Sequence, residues 1–285
     1  MACKVALAAR TVCPPTLSGI ARTHAPRGLT ATRPWCGAGG KHGDMAYAAA
    51  FIVHNIPMLT DLDAFSWWTI SDIFEEGWLS GAPFYGGYGL LTVNGVAKPA
   101  YRAFQMLNTA GDQRLPVKMS GQEWSPSPDT TPITVFATIH SAGSTVGAKG
   151  LQLFASNFWP EHGATSDPRP PNATTVEVTV KNLPPGIKSA QLFRIDDNVT
   201  NPYTTWLGWN DAAKAAGKCN SHCAAGLEDK CPCLNYLTPT EIALLDQAGQ
   251  MAQEEILVGP GGRLTFDLAP YATVNIRFPD ASGQW

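Results

Sequence analysis

Six short runs rich in β-branched and aromatic residues occupy the second half of the chain: Ile133 to His140, Leu151 to Ser156, Thr174 to Val180, Ala190 to Ile195, Arg263 to Leu268 and Thr273 to Phe278. Pro and Gly punctuate the intervals. Runs this short bury their apolar faces only by pairing, and turns of this composition return the chain antiparallel, so the pattern predicts an all-β antiparallel sandwich. One helix is expected to interrupt it. Thr238-Pro239-Thr240-Glu241 supplies an N-cap, a proline at the first helical position and a glutamate three residues after the cap, which is the sequence form of a capping box.

Before residue 112 the pattern is different. Asp44 is a plausible N-cap for a helix through Ala46, Tyr47, Ala50, Phe51 and Val53, closed by Pro57. A short strand from Ala64 to Ile70 follows, then a Gly-rich loop to about Gly89. Asn94-Gly95 marks a tight turn, and Pro99 opens a second helix whose stripe is Tyr101, Phe104 and Leu107 and whose end is marked by Gly111. Helix, strand, long loop and helix in this order describe the end of an α/β barrel. The chain is thus expected to divide into residues 1–43, 44–112 and 113–285.

The 285 residues carry a net charge of −3, and 15% are charged. That leaves no basic field for nucleic acid, and no apolar run is long enough for a membrane span. Charge is unevenly spread: the first 43 residues hold Lys4, Arg10, Arg22, Arg27, Arg33 and Lys41 but no Asp or Glu. This composition fits a targeting peptide, an unstructured leader or a wrongly joined stretch of coding sequence alike.

Four of the seven cysteines fall between residues 219 and 233, as Cys219, Cys223, Cys231 and Cys233. A zinc site is conceivable, but Cys-Pro-Cys is poor ligand geometry and there is no C-x2-C pair, so two disulfides stapling a surface insertion are favoured, with the pairing open. Asn172-Ala-Thr and Asn198-Val-Thr are N-glycosylation sequons. With the clustered cysteines they point to a secretory, lysosomal or vacuolar, or extracellular destination.

The chemistry-bearing segment is Phe65-Ser66-Trp67-Trp68-Thr69-Ile70-Ser71-Asp72-Ile73-Phe74-Glu75-Glu76, two indoles on a strand with three carboxylates just beyond it. Sugar recognition uses this pairing: a ring face for the C–H surface and carboxylates to accept from hydroxyls. A core tryptophan pair beside a solvated acidic turn fits the spacing as well.

Four words in this part of the chain resemble the closing strand, loop and helix of glycoside hydrolase family 39, the family of β-xylosidases and α-L-iduronidases. They are Ala49-Ala50-Phe51-Ile52, Trp68-Thr69 with Ser71-Asp72-x-Phe74-Glu75-Glu76, Phe84-x-Gly86-Gly87-x-Gly89-Leu90 and Lys98-Pro99-x-Tyr101. Softer words in the second half, Leu183-Pro184-Pro185-Gly186, Phe193-Arg194-Ile195-Asp196, Tyr236-Leu237-Thr238-Pro239-Thr240-Glu241-Ile242 and Gly262-Arg263-Leu264-Thr265, resemble the sandwich of the α-L-iduronidases. The resemblance implies that residues 44–112 are the last βα unit of a (β/α)8 TIM barrel, followed by the β-sandwich with its Cys-rich insertion at 219–233. It implies substrate-lining roles for Trp68, Asp72, Phe74, Glu75 and Glu76, a carbohydrate ligand, and no metal or organic cofactor.

Enzymes of this family hydrolyse O-glycosyl bonds with retention, using an acid/base and a nucleophilic glutamate about 5 Å apart. In the family both precede the helix that starts near Asp44. No acidic residue lies upstream of Asp44 here, so neither role can be filled from that side, and Asp72, Glu75 and Glu76 are too close in sequence to oppose each other across a bond. The expectation is a hydrolase-like chain without its catalytic pair, with a non-catalytic carbohydrate-binding or structural fragment as the alternative. Which sugar it recognises is left open between xyloside and iduronide.

Overall fold

The computed structural model describes residues 28–31, 41–59, 64–73, 82–119, 133–140, 150–158, 173–220 and 232–280. Strand β1 (Gly28–Ala31) is followed by a 3-10 turn at residues 41–44, helix α1 (Ala46–Asn55), strand β2 (Ala64–Trp67) and helix α2 (Pro99–Leu107). β1 and β2 are parallel neighbours, Gly28 opposite Ala64 and Ala31 opposite Trp67. Residues 28–31, within the stretch read as an unstructured leader or targeting-like segment, thus form a strand, while residues 1–27 and 32–40 lie outside the described residues. Two βα units stand where one was expected, because a four-residue strand in a basic, Thr- and Pro-rich setting carries too little pattern to be seen alone.

The rest is built on β3 (Gln113–Leu115), β4 (Ile133–Ile139), β5 (Gln152–Asn157), β6 (Thr174–Thr179), β7 (Ser189–Ile195), α3 (Pro202–Ala215), α4 (Pro239–Ala248), β8 (Ala252–Leu257), β9 (Arg263–Leu268) and β10 (Thr273–Arg277). Six strands form one antiparallel sheet in the order β3-β4-β5-β10-β7-β8, and β6 and β9 form a separate antiparallel ribbon. Each of the six expected strands is present to within one residue at either end. The capping box of α4 is also in place: the Glu241 N–H donates to Thr238 Oγ1 at 3.3 Å and the Thr238 N–H to Glu241 Oε2 at 2.7 Å. One helix was expected in this half and two are found among the described residues, the addition being α3.

The central sheet is covered on both faces. Leu153, Ala155, Ala190, Leu192, Val274 and Ile276 meet the ribbon's Leu264, Phe266 and Leu268. Residues of opposite parity, Phe136, Phe154 and Ile195, meet α1 and α2 instead. Every residue of β5 is buried, as expected for a strand with no solvent face. α1 is buried over most of its surface: Ala46, Tyr47, Ala48, Ala49, Ala50, Ile52 and Val53 are each exposed by 1% or less. Its alanines combine high helix propensity with a thin profile that lets the sheet and α2 approach closely. α2 turns Ala100, Ala103 and Met106 into this core, while the half-buried Phe104 of the expected stripe meets Phe65 and Trp67 of β2 at 6.0 and 6.1 Å.

Polar contacts cross the same boundary. Ser156 Oγ donates to the Ala50 carbonyl at 3.1 Å, Arg102 Nε to the Gly249 carbonyl at 2.7 Å, and Arg114 Nη1 to the Pro57 carbonyl at 2.8 Å. Thr134 Oγ1 lies 2.6 Å from His54 Nδ1. Burial lowers the His54 imidazole to about pKa 4 from its ordinary 6.5. The unfolded chain therefore takes up this proton first, and stability falls as pH drops from 6.5 towards 4. A shift of this size corresponds to about 3 kcal/mol lost by pH 4. Urea denaturation at pH 7 and pH 4.5 should show His54→Gln losing less stability on acidification than the parent chain; equal losses would remove His54 as the cause.

A buried ion triad under the Gly-rich loop

β2 does not stop the pairing where it ends. The Thr69 N–H donates to the Tyr88 carbonyl, Leu90 N–H to Thr69, Leu91 N–H to Ile70 and Asp72 N–H to Leu91, at 2.9 to 3.2 Å. Trp67 Nε1 also donates to the Tyr88 carbonyl at 3.0 Å. Segment 69–72 thus runs parallel beside 88–91, which folds back through Asn94-Gly95 so that Lys98 N–H reaches the Leu90 carbonyl. Strand alternation then turns Trp67 inward and Trp68 outward. Trp68 is 46% exposed, and Ile70 and Ile73 are exposed with it at 61% and 64%.

Beneath the loop, three charges meet in the dry interior. Lys98 Nζ lies 2.6 Å from Asp44 Oδ1 and 2.7 Å from Asp72 Oδ2, with no solvent exposure of any of the three side chains. The free oxygen of each carboxylate is used by the loop: the Gly86 N–H donates to Asp44 Oδ2 at 2.6 Å and the Gly89 N–H to Asp72 Oδ1 at 2.7 Å. Lys98 also donates to the Gly87 carbonyl at 3.4 Å, and the Tyr85 hydroxyl to the Asp72 carbonyl at 3.2 Å. The glycines are required by this closeness. A Cβ at Gly87 would overlap the Asp72 carboxylate, and one at Gly89 the Asp72 backbone nitrogen.

The triad holds two negative charges against one positive. Burial pushes Asp72 up to about pKa 6, with the Asp44 carboxylate adding to it while Lys98 and the Gly89 N–H pull the other way. Burial alone would lower Lys98, but the two carboxylates outweigh it and hold the ammonium above its ordinary value. Buried charges of this kind survive only when paired and hydrogen-bonded. Here every carboxylate oxygen has a partner.

This geometry revises two expectations. Asp44 is not the N-cap of α1; Met45 holds that position without a side-chain cap, and Asp44 points inward to Lys98. Asp72, expected to line a sugar, is 2% exposed with both oxygens engaged, so it anchors the loop and has no face left for a hydroxyl. Trp68 is at the surface. Phe74, Glu75 and Glu76 lie outside the described residues. Asp44 and Lys98 were missed as partners, although one signal pointed to them: Lys98 is the only charged residue from 77 to 101, set among apolar neighbours.

Cys219 and Cys233 form a disulfide, and Cys223 and Cys231 fall outside the described residues, as does Asn172. Asn198 is exposed, while the Thr200 of its sequon is buried, its hydroxyl donating to the Arg194 carbonyl at 2.6 Å and accepting from the Ala252 N–H at 3.0 Å. Arg102 is structural, through its bond to Gly249. Among the described residues no three His, Cys, Asp or Glu converge as metal ligands, and no helix is long and apolar enough to cross a membrane.

Residues 31–211 match the model of the glycosyl hydrolases family 39. A β-xylosidase of Caldicellulosiruptor saccharolyticus is 28% identical over 239 residues, covering 82% of this chain and 40% of that protein. Among solved structures, a family 39 enzyme from Xanthomonas axonopodis pv. citri superposes with a TM-score of 0.60 at 16% identity, covering 86% of this chain and 42% of its own. A bacterial orthologue of human α-L-iduronidase gives 0.55 at 17%, covering 89% and 42%. The chain spans about two-fifths of the length of each of these three relatives. With the matched span running from the first described strand into α3, the chain belongs to family 39 of the glycosyl hydrolases.

Proposed function

We propose that this chain is the C-terminal, carbohydrate-facing part of a retaining glycosidase of the β-xyloside or α-L-iduronide type, and that it binds sugar without cleaving it. β1, α1, β2 and α2 are read as the last two βα units of the barrel, and the two antiparallel sheets as the β-sandwich that follows. The observation that carries the reading is the presentation of Trp68: its half-exposed indole stands at the C-terminal end of β2, the end where such barrels place their sites, on a loop locked by the triad. Its ring face suits the C–H surface of a pyranose.

Chemistry is a separate matter from binding. Double displacement needs two opposed carboxyl groups. Asp44 and Asp72, the two carboxylates of the triad, are buried and committed to Lys98, and residues 1–43 contribute no acid. A secretory, lysosomal or extracellular location is proposed on the exposed Asn198 and the Cys219–Cys233 disulfide.

Titration of the purified chain with methyl β-D-xyloside and methyl α-L-iduronide, followed by calorimetry, tests the reading. Binding of one of them is expected, with Kd rising about tenfold in Trp68→Ala, the effect of one lost aromatic platform. No release of 4-nitrophenol from an aryl β-xyloside is expected. Binding that is untouched by Trp68→Ala would overturn the site, and steady release would overturn the claim that cleavage is absent.

A further inference from the structure

The Gly-rich loop is held from a second direction, by a helix that belongs in sequence to the sheet half. Phe84, just before the glycines of the loop, is 3% exposed, with its ring centroid 5.7 Å from Tyr203 and 5.5 Å from Trp206. Those two residues lie three apart on α3 and so share one face of it. Val96, from the hairpin leading into Lys98, and Leu245 of α4 complete the cluster. Met45, the residue after Asp44, packs against the same cluster, so the cluster adjoins the triad.

Filling a core needs only volume, but Trp206 is also oriented. Its Nε1 donates to the Leu234 carbonyl at 3.3 Å. Leu234 is fixed in turn, since its N–H and that of Cys233 both donate to Asn210 Oδ1, at 3.1 and 2.7 Å, and Asn210 lies one turn beyond Trp206 on α3. Cys233 is bonded to Cys219. Beside that bridge Asn220 makes a second clip, with its Oδ1 accepting from the Asn235 N–H at 2.9 Å and its Nδ2 donating to the Tyr236 carbonyl at 2.7 Å. The path from α3 through its C-terminal turn, the disulfide and residues 233–236 therefore closes back on the helix at the indole that grips Phe84.

We propose that α3 is the positioning element of the Gly-rich loop: Trp206 sets Phe84, the Cys219–Cys233 disulfide and Asn210 set Trp206, and the loop so held presents Trp68. Its consequence for ligand rests on the carbohydrate reading above, whereas the mechanical coupling does not. Trp206 and Phe84 act through the loop and touch no substrate.

Amide hydrogen exchange on the whole chain tests it. The reporters are the N–H groups of Gly86, Gly89, Leu90 and Leu91, bonded to Asp44, Asp72, Thr69 and Ile70, with the β5–β10 amides as the reference. Trp206→Phe keeps an aromatic ring in the cluster while removing the Nε1 donor and part of the indole, and it is expected to speed loop exchange about fivefold with the reference unchanged. Cys219→Ser should do the same more weakly, and Asn210→Ala, which removes the oxygen that holds Cys233 and Leu234, should speed it as well. Loop amides at parent rates in both Trp206→Phe and Cys219→Ser would overturn the proposal, as would equal acceleration of loop and reference amides. Methyl β-D-xyloside and methyl α-L-iduronide affinities read the other claim: faster loop exchange with weakened binding supports both, and faster loop exchange in a chain that binds neither sugar upholds the coupling while removing the carbohydrate reading.

Discussion

Lys98→Met is expected to destabilise the chain by about 3–5 kcal/mol at pH 7, the cost of stranding buried charges whose counter-ion is gone. Two carboxylates with no solvent exposure would remain, with only the Gly86 and Gly89 N–H groups to compensate them. The triad ties the turn before α1, the end of β2 and the start of α2 to one point, so the loss should also free the Gly-rich loop. The pH dependence identifies the cause. Without Lys98 the carboxylates are held above their unfolded values, so the folded variant takes up protons first and recovers stability as pH falls through that raised range. The gap between parent and Lys98→Met, from urea denaturation at pH 7 and pH 5, should therefore narrow on acidification. The triple variant Lys98→Met, Asp44→Asn, Asp72→Asn should regain part of the loss. A cost below about 1 kcal/mol at pH 7, or a gap that widens in acid, would show that the triad is not what holds the loop.

The elements legible in the sequence are those whose pattern comes from their own residues. β4, β5, β6, β7, β9 and β10 are announced by β-branched and aromatic runs between turn residues, and α4 by a cap that is complete within four positions. The elements that were missed depend on partners. β8 reads Ala252-Gln253-Glu254-Glu255-Ile256-Leu257, a charged edge strand made by its pairing with β7, and α3 buries only Pro202, Tyr203, Trp206 and Asn210 of its fourteen residues. β1 is defined by its parallel neighbour. The same division runs through the site. Trp68 and the glycines stand out locally, but the ion triad joins residues 44, 72 and 98, and each of the three has an ordinary local explanation: a cap, an acidic turn, a residue before a proline. Only the fold brings them together.

Phe154→Ala is the second large effect expected, about 3–5 kcal/mol for a fully buried phenylalanine truncated in a packed core. Its ring stacks on Phe136 directly across the β4–β5 pair, centroids 4.7 Å apart and planes 8° from parallel, in the cluster that also holds Tyr47, Ile52 and Met106. This position decides more than a magnitude. If the helices were merely docked on an independent sheet domain, the variant would release α1 and α2 and leave the sheet native, giving two transitions. Because α1 and α2 share one core with Phe136, Phe154 and Ile195 of the sheet, both layers depend on the same contacts. Parent and variant should therefore each unfold in a single transition, with amide protection in α1 and in β5–β10 lost together and a common midpoint shifted by the mutation. Separate midpoints for helix and sheet amides would mean that the loop and Trp68 ride on a unit able to leave the sheet. One midpoint means that the surface presenting Trp68 and the sheets behind it are a single structure, so a destabilising change in the β-sheet core also loosens the loop that presents Trp68.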